Sequence, residues 1–133
     1  MILITGASGF IGSYLTKEMA DHCLKEVVLS DIVPPQGMLA VLSRIYRDEG
    51  ADYPFEYLDA SSPIDLLHVI KRYAIHTIIH CASLRAPEAQ MNPIKSLKVD
   101  VESLMNILEM AGPPWTYETT HVQKYLKWSP RPI

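Results

Sequence analysis

Three glycines, Gly6, Gly9 and Gly12, punctuate the run Gly6-Ala7-Ser8-Gly9-Phe10-Ile11-Gly12 at the spacing of a phosphate-binding turn. Each glycine would answer a separate demand. Gly6 permits a tight turn, Gly9 lets backbone approach a pyrophosphate, and Gly12 allows a helix to pack close to a strand. Backbone N–H groups at the start of the following helix would then face the anion, assisted by the helix dipole. Asp31 follows Gly12 by 19 residues, at the end of the next apolar run. A carboxylate there accepts from a ribose 2′-hydroxyl and repels a 2′-phosphate, so the expected dinucleotide is NAD rather than NADP. A glycine triplet alone is a weak signal; strand, triplet, helix, strand and acid in that order is a strong one. The plain alternative is a strand-to-helix turn with no ligand, beside a solvated Asp31.

Other residues carry less. Asp59 follows a third apolar run and reads either as a second acid at the same sheet edge or as a helix-entry acid before Ser61-Ser62. The run His80-Cys81-Ala82-Ser83 ends a fourth strand in small residues that would let a cofactor lie across it. A lone His80 on an apolar strand reads as a hydrogen-bonded core histidine before it reads as a base. The remaining histidines lack metal-ligand spacing: His68 and His76 stand eight apart with Arg72 between them, so no metal site is expected. Cys23 and Cys81 are too few for a disulfide framework or a zinc site, and read as buried free thiols in a reducing compartment.

The elements that must position these residues follow from periodicity. Ile2–Ile4, Val27–Leu29, Phe55–Leu58 and Thr77–Cys81 read as strands. Phe10–Lys25 reads as a helix burying Ile11, Leu15, Met19 and Leu24, and Met38–Glu49 as a second helix stopped by Gly50. Ser62-Pro63 with Asp65, and Asn92-Pro93, each supply a cap and a proline at the first helical position. The helix after Asn92 is expected to bury Ile94, Leu97, Val101, Leu104, Met105 and Leu108. Continuous rather than alternating apolar strands imply a parallel sheet covered on both faces. The expected fold is α/β, a Rossmann-type doubly wound parallel sheet.

Composition excludes several classes. The chain has 133 residues, 48% hydrophobic and 20% charged, which fits one globular domain. A net charge of -3 gives no footprint for nucleic acid, and no apolar run approaches a bilayer span. The start, MILITGASGF, lacks a basic segment before its apolar stretch and reads as mature protein. A cytoplasmic setting is expected. After Gly112 the character changes: residues 113–133 hold four of the ten prolines and both tryptophans. The expected organisation is therefore a nucleotide-binding domain over 1–112 and a tail over 113–133.

Residues 1–112 resemble the extended short-chain dehydrogenase/reductases, the NAD-dependent epimerase/dehydratase group acting largely on nucleotide sugars. The resemblance rests on TGASGFIG at 5–12, Asp31, Asp59, His80-Cys81-Ala82-Ser83, and NPIKSLKVDVESLMNILEMA at 92–111. It implies that Gly6, Ala7, Ser8, Gly9, Phe10 and Ile11 cradle the pyrophosphate of NAD and that Asp31 holds the adenosine ribose. Asp59 and Ala60 would meet the adenine, while Cys81, Ala82 and Ser83 would line the path toward the nicotinamide. Two departures stand out. Asp100 occupies a position where the family helix usually has asparagine. The family's catalytic Tyr-x-x-x-Lys is missing: none of the seven tyrosines is followed four places on by lysine, and Tyr117 with His121 comes nearest. No catalytic residue is assigned. The stretch Tyr117–Arg131 resembles a piece from the family's far C-terminus, which would make the tail part of a substrate domain. A sheet of this family orders its strands 3-2-1-4 and continues outward from strand four, so the resemblance implies a truncated sheet here with strand four as its edge, and the tail, a second copy or a complementing chain is expected to cover it.

Overall fold

The computed structural model describes residues 1–48 and 52–111. The elements are β1 (Ile2–Thr5), α1 (Phe10–Asp21), β2 (Val27–Asp31), α2 (Gly37–Asp48), β3 (Phe55–Tyr57), α3 (Pro63–Arg72) and β4 (Thr77–His80), then α4 (Glu88–Met91), α5 (Pro93–Leu97), a π-helical turn (Lys98–Glu102) and α6 (Ser103–Ala111). All strand pairs are parallel, as the alternation of apolar runs with helical patterns predicts, in the order β3-β2-β1-β4. Alternate residues of each strand feed opposite layers. Leu3 and Val28 pack with Leu58, Leu66, Val69 and Ile107. Ile4, Val27 and Leu29 pack with Ala7 and Leu39 on the other face. Burying such side chains stabilises the fold by about 1.5–3 kcal/mol each, which is why strands with no polar face specify a covered sheet.

Both predicted caps form: Ser62 Oγ accepts from Asp65 N at 3.4 Å, and Asn92 Oδ1 from Lys95 N at 3.0 Å. The helix interiors differ from expectation. In α1, Leu15 and Met19 pack on the core, but Ile11 is exposed, and Leu24 lies beyond the helix and is also exposed. The fully sheet-facing positions are Gly12, Ser13 and Thr16. Their small side chains let α1 lie close to the sheet, and both hydroxyls donate to the helix's own carbonyls. Cys23, expected buried, is exposed in a left-handed turn just after α1.

The last helix is not the continuous one that the sequence pattern predicts. The π-helical turn inserts an extra residue per turn and rotates the face that follows. The expected apolar stripe points outward, with Ile94, Leu97, Val101, Leu104 and Met105 all exposed. Ser103 and Ile107 face the sheet instead. Among the described residues, no helix is long and apolar enough to cross a membrane. The Gly50 stop, the boundary at Gly112 and the tail at 113–133 lie outside the described residues.

Candidate functional site

The carboxyl ends of the strands open into a cleft of about 540 Å³. Its floor is the turn between β1 and α1. Gly6 sits at φ +69°, and a Cβ there would stand 2.5 Å from the backbone nitrogen of Ala82. A Cβ on Gly12 would stand 2.3 Å from Gly6 O. These two glycines are therefore demanded by the fold itself. Gly9 is different. It has φ -76°, open to any residue, and its Cβ would meet only Gly6 O at 3.1 Å. Gly9 caps α1 without any side-chain hydrogen bond, and the first turn carries no acid.

Asp31 ties this loop to β2. Its Oδ2 accepts from Ser8 N at 2.9 Å and its Oδ1 from Ile32 N at 2.8 Å. Opposite, Asp59 Oδ1 accepts from Ser61 N at 2.9 Å and from Ser61 Oγ at 2.6 Å. Of the residues predicted from sequence, Gly6, Ser8, Gly9, Asp31, Asp59, Ala60, Cys81, Ala82 and Ser83 line one cleft. Ala7 is fully buried beneath it, and Gly12 packs against the loop from below. The side chains of Phe10 and Ile11 are exposed on the first turn of α1 and do not line the cleft.

His80 sits within the protein rather than at the cleft surface. Thr5 Oγ1 lies 2.7 Å from its Nδ1 and Ser103 Oγ 3.0 Å from its Nε2. The Ser103 hydroxyl spends its one proton on Val99 O, so it accepts from Nε2–H, and Thr5 donates to Nδ1. This neutral tautomer agrees with the direction of its pKa, which burial lowers while Asp100 pulls the other way. Burial also raises the Cys81 thiol above its ordinary range, which keeps it protonated. Asp100 performs a supporting task at a position where an amide oxygen would also serve: its Oδ1 accepts from Leu84 N at 2.9 Å and its Oδ2 from Ser96 Oγ at 2.7 Å.

Sequence reasoning overlooked Asn106, whose Nδ2 donates to Ala60 O at 3.2 Å and Ser61 O at 3.0 Å. It also overlooked Arg85, Lys95 and Lys98, which add basic side chains to the cleft lining. The available signal was spacing. Asp100, Ser103 and Asn106 recur every three residues and share a helix face, which an apolar-stripe reading assigns to solvent. Among the described residues no group of His, Cys, Asp and Glu is arranged to hold a metal ion.

Known proteins share this arrangement. The profile of the NAD dependent epimerase/dehydratase family matches residues 2–127. The dTDP-4-dehydro-6-deoxyglucose reductase of Escherichia coli is 34% identical over 108 residues, 80% of this chain and 31% of that protein. The L-threonine dehydrogenase of Clostridium difficile superposes with a TM-score of 0.69 at 32% identity, over 83% of this chain and 32% of its own. A UDP-glucose-4-epimerase from Stenotrophomonas maltophila, solved with bound NAD and formylated UDP-arabinopyranose, gives 0.68 at 25% identity, over 81% of this chain and 32% of that one. The chain thus spans about a third of the length of the relatives it matches. A glycine turn closed against the backbone just after β4, an acid ending β2 and a profile match along nearly the whole sequence lead to one conclusion: the chain belongs to the NAD-dependent epimerase/dehydratase family.

Proposed function

We propose that this chain is an NAD-binding module whose cleft holds the dinucleotide along the carboxyl edge of the sheet. Gly9 carries the reading. The turn requires glycine at Gly6 and Gly12, but neither conformation nor internal packing demands more than a few tenths of an ångström of give at Gly9. The remaining reason for a bare backbone there is close approach by something outside the chain, beside a helix start with no side-chain cap. Gly6 to Ile11 would cradle the pyrophosphate: the N–H groups of Ala7, Ser8 and Gly9 are spent on Ser30 O, Asp31 Oδ2 and Gly6 O and hold the loop's shape, while those of Phe10 and Ile11, unused by any hydrogen bond within the described residues, would face the anion. Asp31, already oriented by Ser8 N, keeps lone pairs for ribose hydroxyls and repels a 2′-phosphate.

Asp59 and Ala60 suit the adenine. No hydrogen bond within the described residues uses Asp59 Oδ2 or Ala60 N, so an acceptor and a donor stand on neighbouring residues of the cleft lining. Adenine's amino group and ring nitrogens offer the complementary pair. Cys81, Ala82 and Ser83 would flank the nicotinamide half. Bound NAD would supply hydride acceptance and donation. These 133 residues contain no Tyr-x-x-x-Lys pair, so an acid–base couple of that kind would come from elsewhere.

A second reading follows from the outer edge of β4, which pairs with no further strand among the described residues, and from the outward apolar stripe of α5 and α6. There the chain is an active NAD-dependent oxidoreductase or nucleotide-sugar epimerase/dehydratase, completed by a second copy or a complementing chain. Residues 113–133 belong to the substrate side in either reading, and the free thiols suit a reducing, cytoplasmic setting. Gly9→Ala tests the main reading. Thermal unfolding is expected to stay within a few degrees of wild type while NAD binding weakens at least about tenfold, since added bulk blocks the pyrophosphate. Equal NAD affinity in wild type and variant would remove its support.

A further inference from the structure

From the geometry of α6 we infer that Asn106 is a positioning residue for the adenine end of the cleft, a role that rests on the cofactor reading above. Both atoms facing its side-chain amide are carbonyl oxygens, Ala60 O at 3.2 Å and Ser61 O at 3.0 Å, so only the NH₂ group fits there. In a trans peptide the C=O and the following N–H point in opposite directions. Drawing Ala60 O toward α6 therefore aims Ser61 N the other way, onto Asp59 Oδ1 at 2.9 Å. Drawing Ser61 O the same way aims Ser62 N onto Asp59 O at 2.9 Å. Two successive peptide units are thus bonded at both ends, and Asp59 is gripped between them by side chain and carbonyl. What remains unused within the described residues is Asp59 Oδ2 and Ala60 N, the acceptor and donor assigned to adenine. One amide on a helix behind the loop fixes the orientation of both, without itself lining the cleft.

The test is a double-mutant cycle on the full chain with AMP as the probe, read by calorimetry. Asn106→Leu keeps the size of the side chain and removes its donors. AMP affinity is expected to fall about tenfold, and in an Asp59→Ala background, where only the Ala60 N contact is left for Asn106 to orient, the same change should cost no more than about threefold. A general loss of packing would instead weaken binding by the same factor in both backgrounds, which overturns the assignment. So does wild-type AMP affinity in Asn106→Leu. Where Asn106→Leu does not fold, Asn106→Ser runs the same cycle: it leaves the packing lighter and its hydroxyl too short to reach either carbonyl. Absence of AMP and NAD binding in the wild type would reject the cofactor reading itself, whereas binding that is indifferent to Asn106 rejects only this inference.

Discussion

Gly6 combines two constraints that act together. Its φ of +69° is costly for any other residue, and a Cβ would press on the backbone of Cys81 and Ala82, which cannot rotate away. Gly6→Ala should therefore destabilise the domain by at least about 2 kcal/mol, adding left-handed strain to overpacking. Urea unfolding would show a lower midpoint at unchanged slope, and an unshifted midpoint would contradict the geometry. His80 gives a pH signature. Its folded pKa lies below the ordinary 6.5, so the unfolded chain takes up the proton first. The stability it contributes is present above pH 6.5 and lost as pH falls through the lower folded value. Thermal unfolding at pH 7.5 and 5.5 should show this loss, and His80→Asn should shrink it; an identical loss in the variant would place the titration elsewhere. At this scale, Gly6, Gly12 and Asp31 were legible because they stand at the fixed spacing of one motif, although Gly6 meets Ala82 and Asp31 meets Ser8 only in the fold. Asn106 was not, because its residue type stands in no such motif and its partners Ala60 and Ser61 are 46 and 45 residues distant.

Among the elements, β1 to β4 and the two capped helix starts were readable from sequence because apolar continuity and Ser62 or Asn92 caps are short-range signals. Faces were harder. In α1 the closest positions to the sheet are Gly12, Ser13 and Thr16, so the residues that matter most for approach are those that an apolar scale ignores. On the π-helical turn and α6 the inward polar residues bond groups distant in sequence: Asp100 holds the backbone N–H of Leu84, Ser103 the side chain of His80, and Asn106 the turn after β3. Periodicity reports how apolar a face is, and this helix spends its inner face on hydrogen bonds. The π-helical turn then carries Asp100 to its partner, a use of irregular helix that often accompanies functional sites.

For the whole molecule, the outward stripe of Ile94, Leu97, Val101, Leu104 and Met105 runs along α5, the π-helical turn and α6, and β4 pairs with no further strand on its outer side among the described residues. Exposed apolar side chains in a row, and a strand edge without a partner, each favour association. The chain is expected to associate in a concentration-dependent way, and Ile94→Glu with Met105→Glu to shift it toward monomer, as read by size exclusion with light scattering. A clean monomer at high micromolar concentration with residues 113–133 deleted would count against an interface here. The site itself is independent of that outcome, since glycine turn, Asp31, Asp59 and the end of β4 all come from one chain. The most direct test is a calorimetric titration of this chain with NAD and, separately, NADP. Saturable heat with NAD, and weaker binding of NADP because Asp31 faces its extra phosphate, is the predicted result. No heat and no thermal stabilisation from either dinucleotide would contradict the account, leaving the family's fold without its ligand.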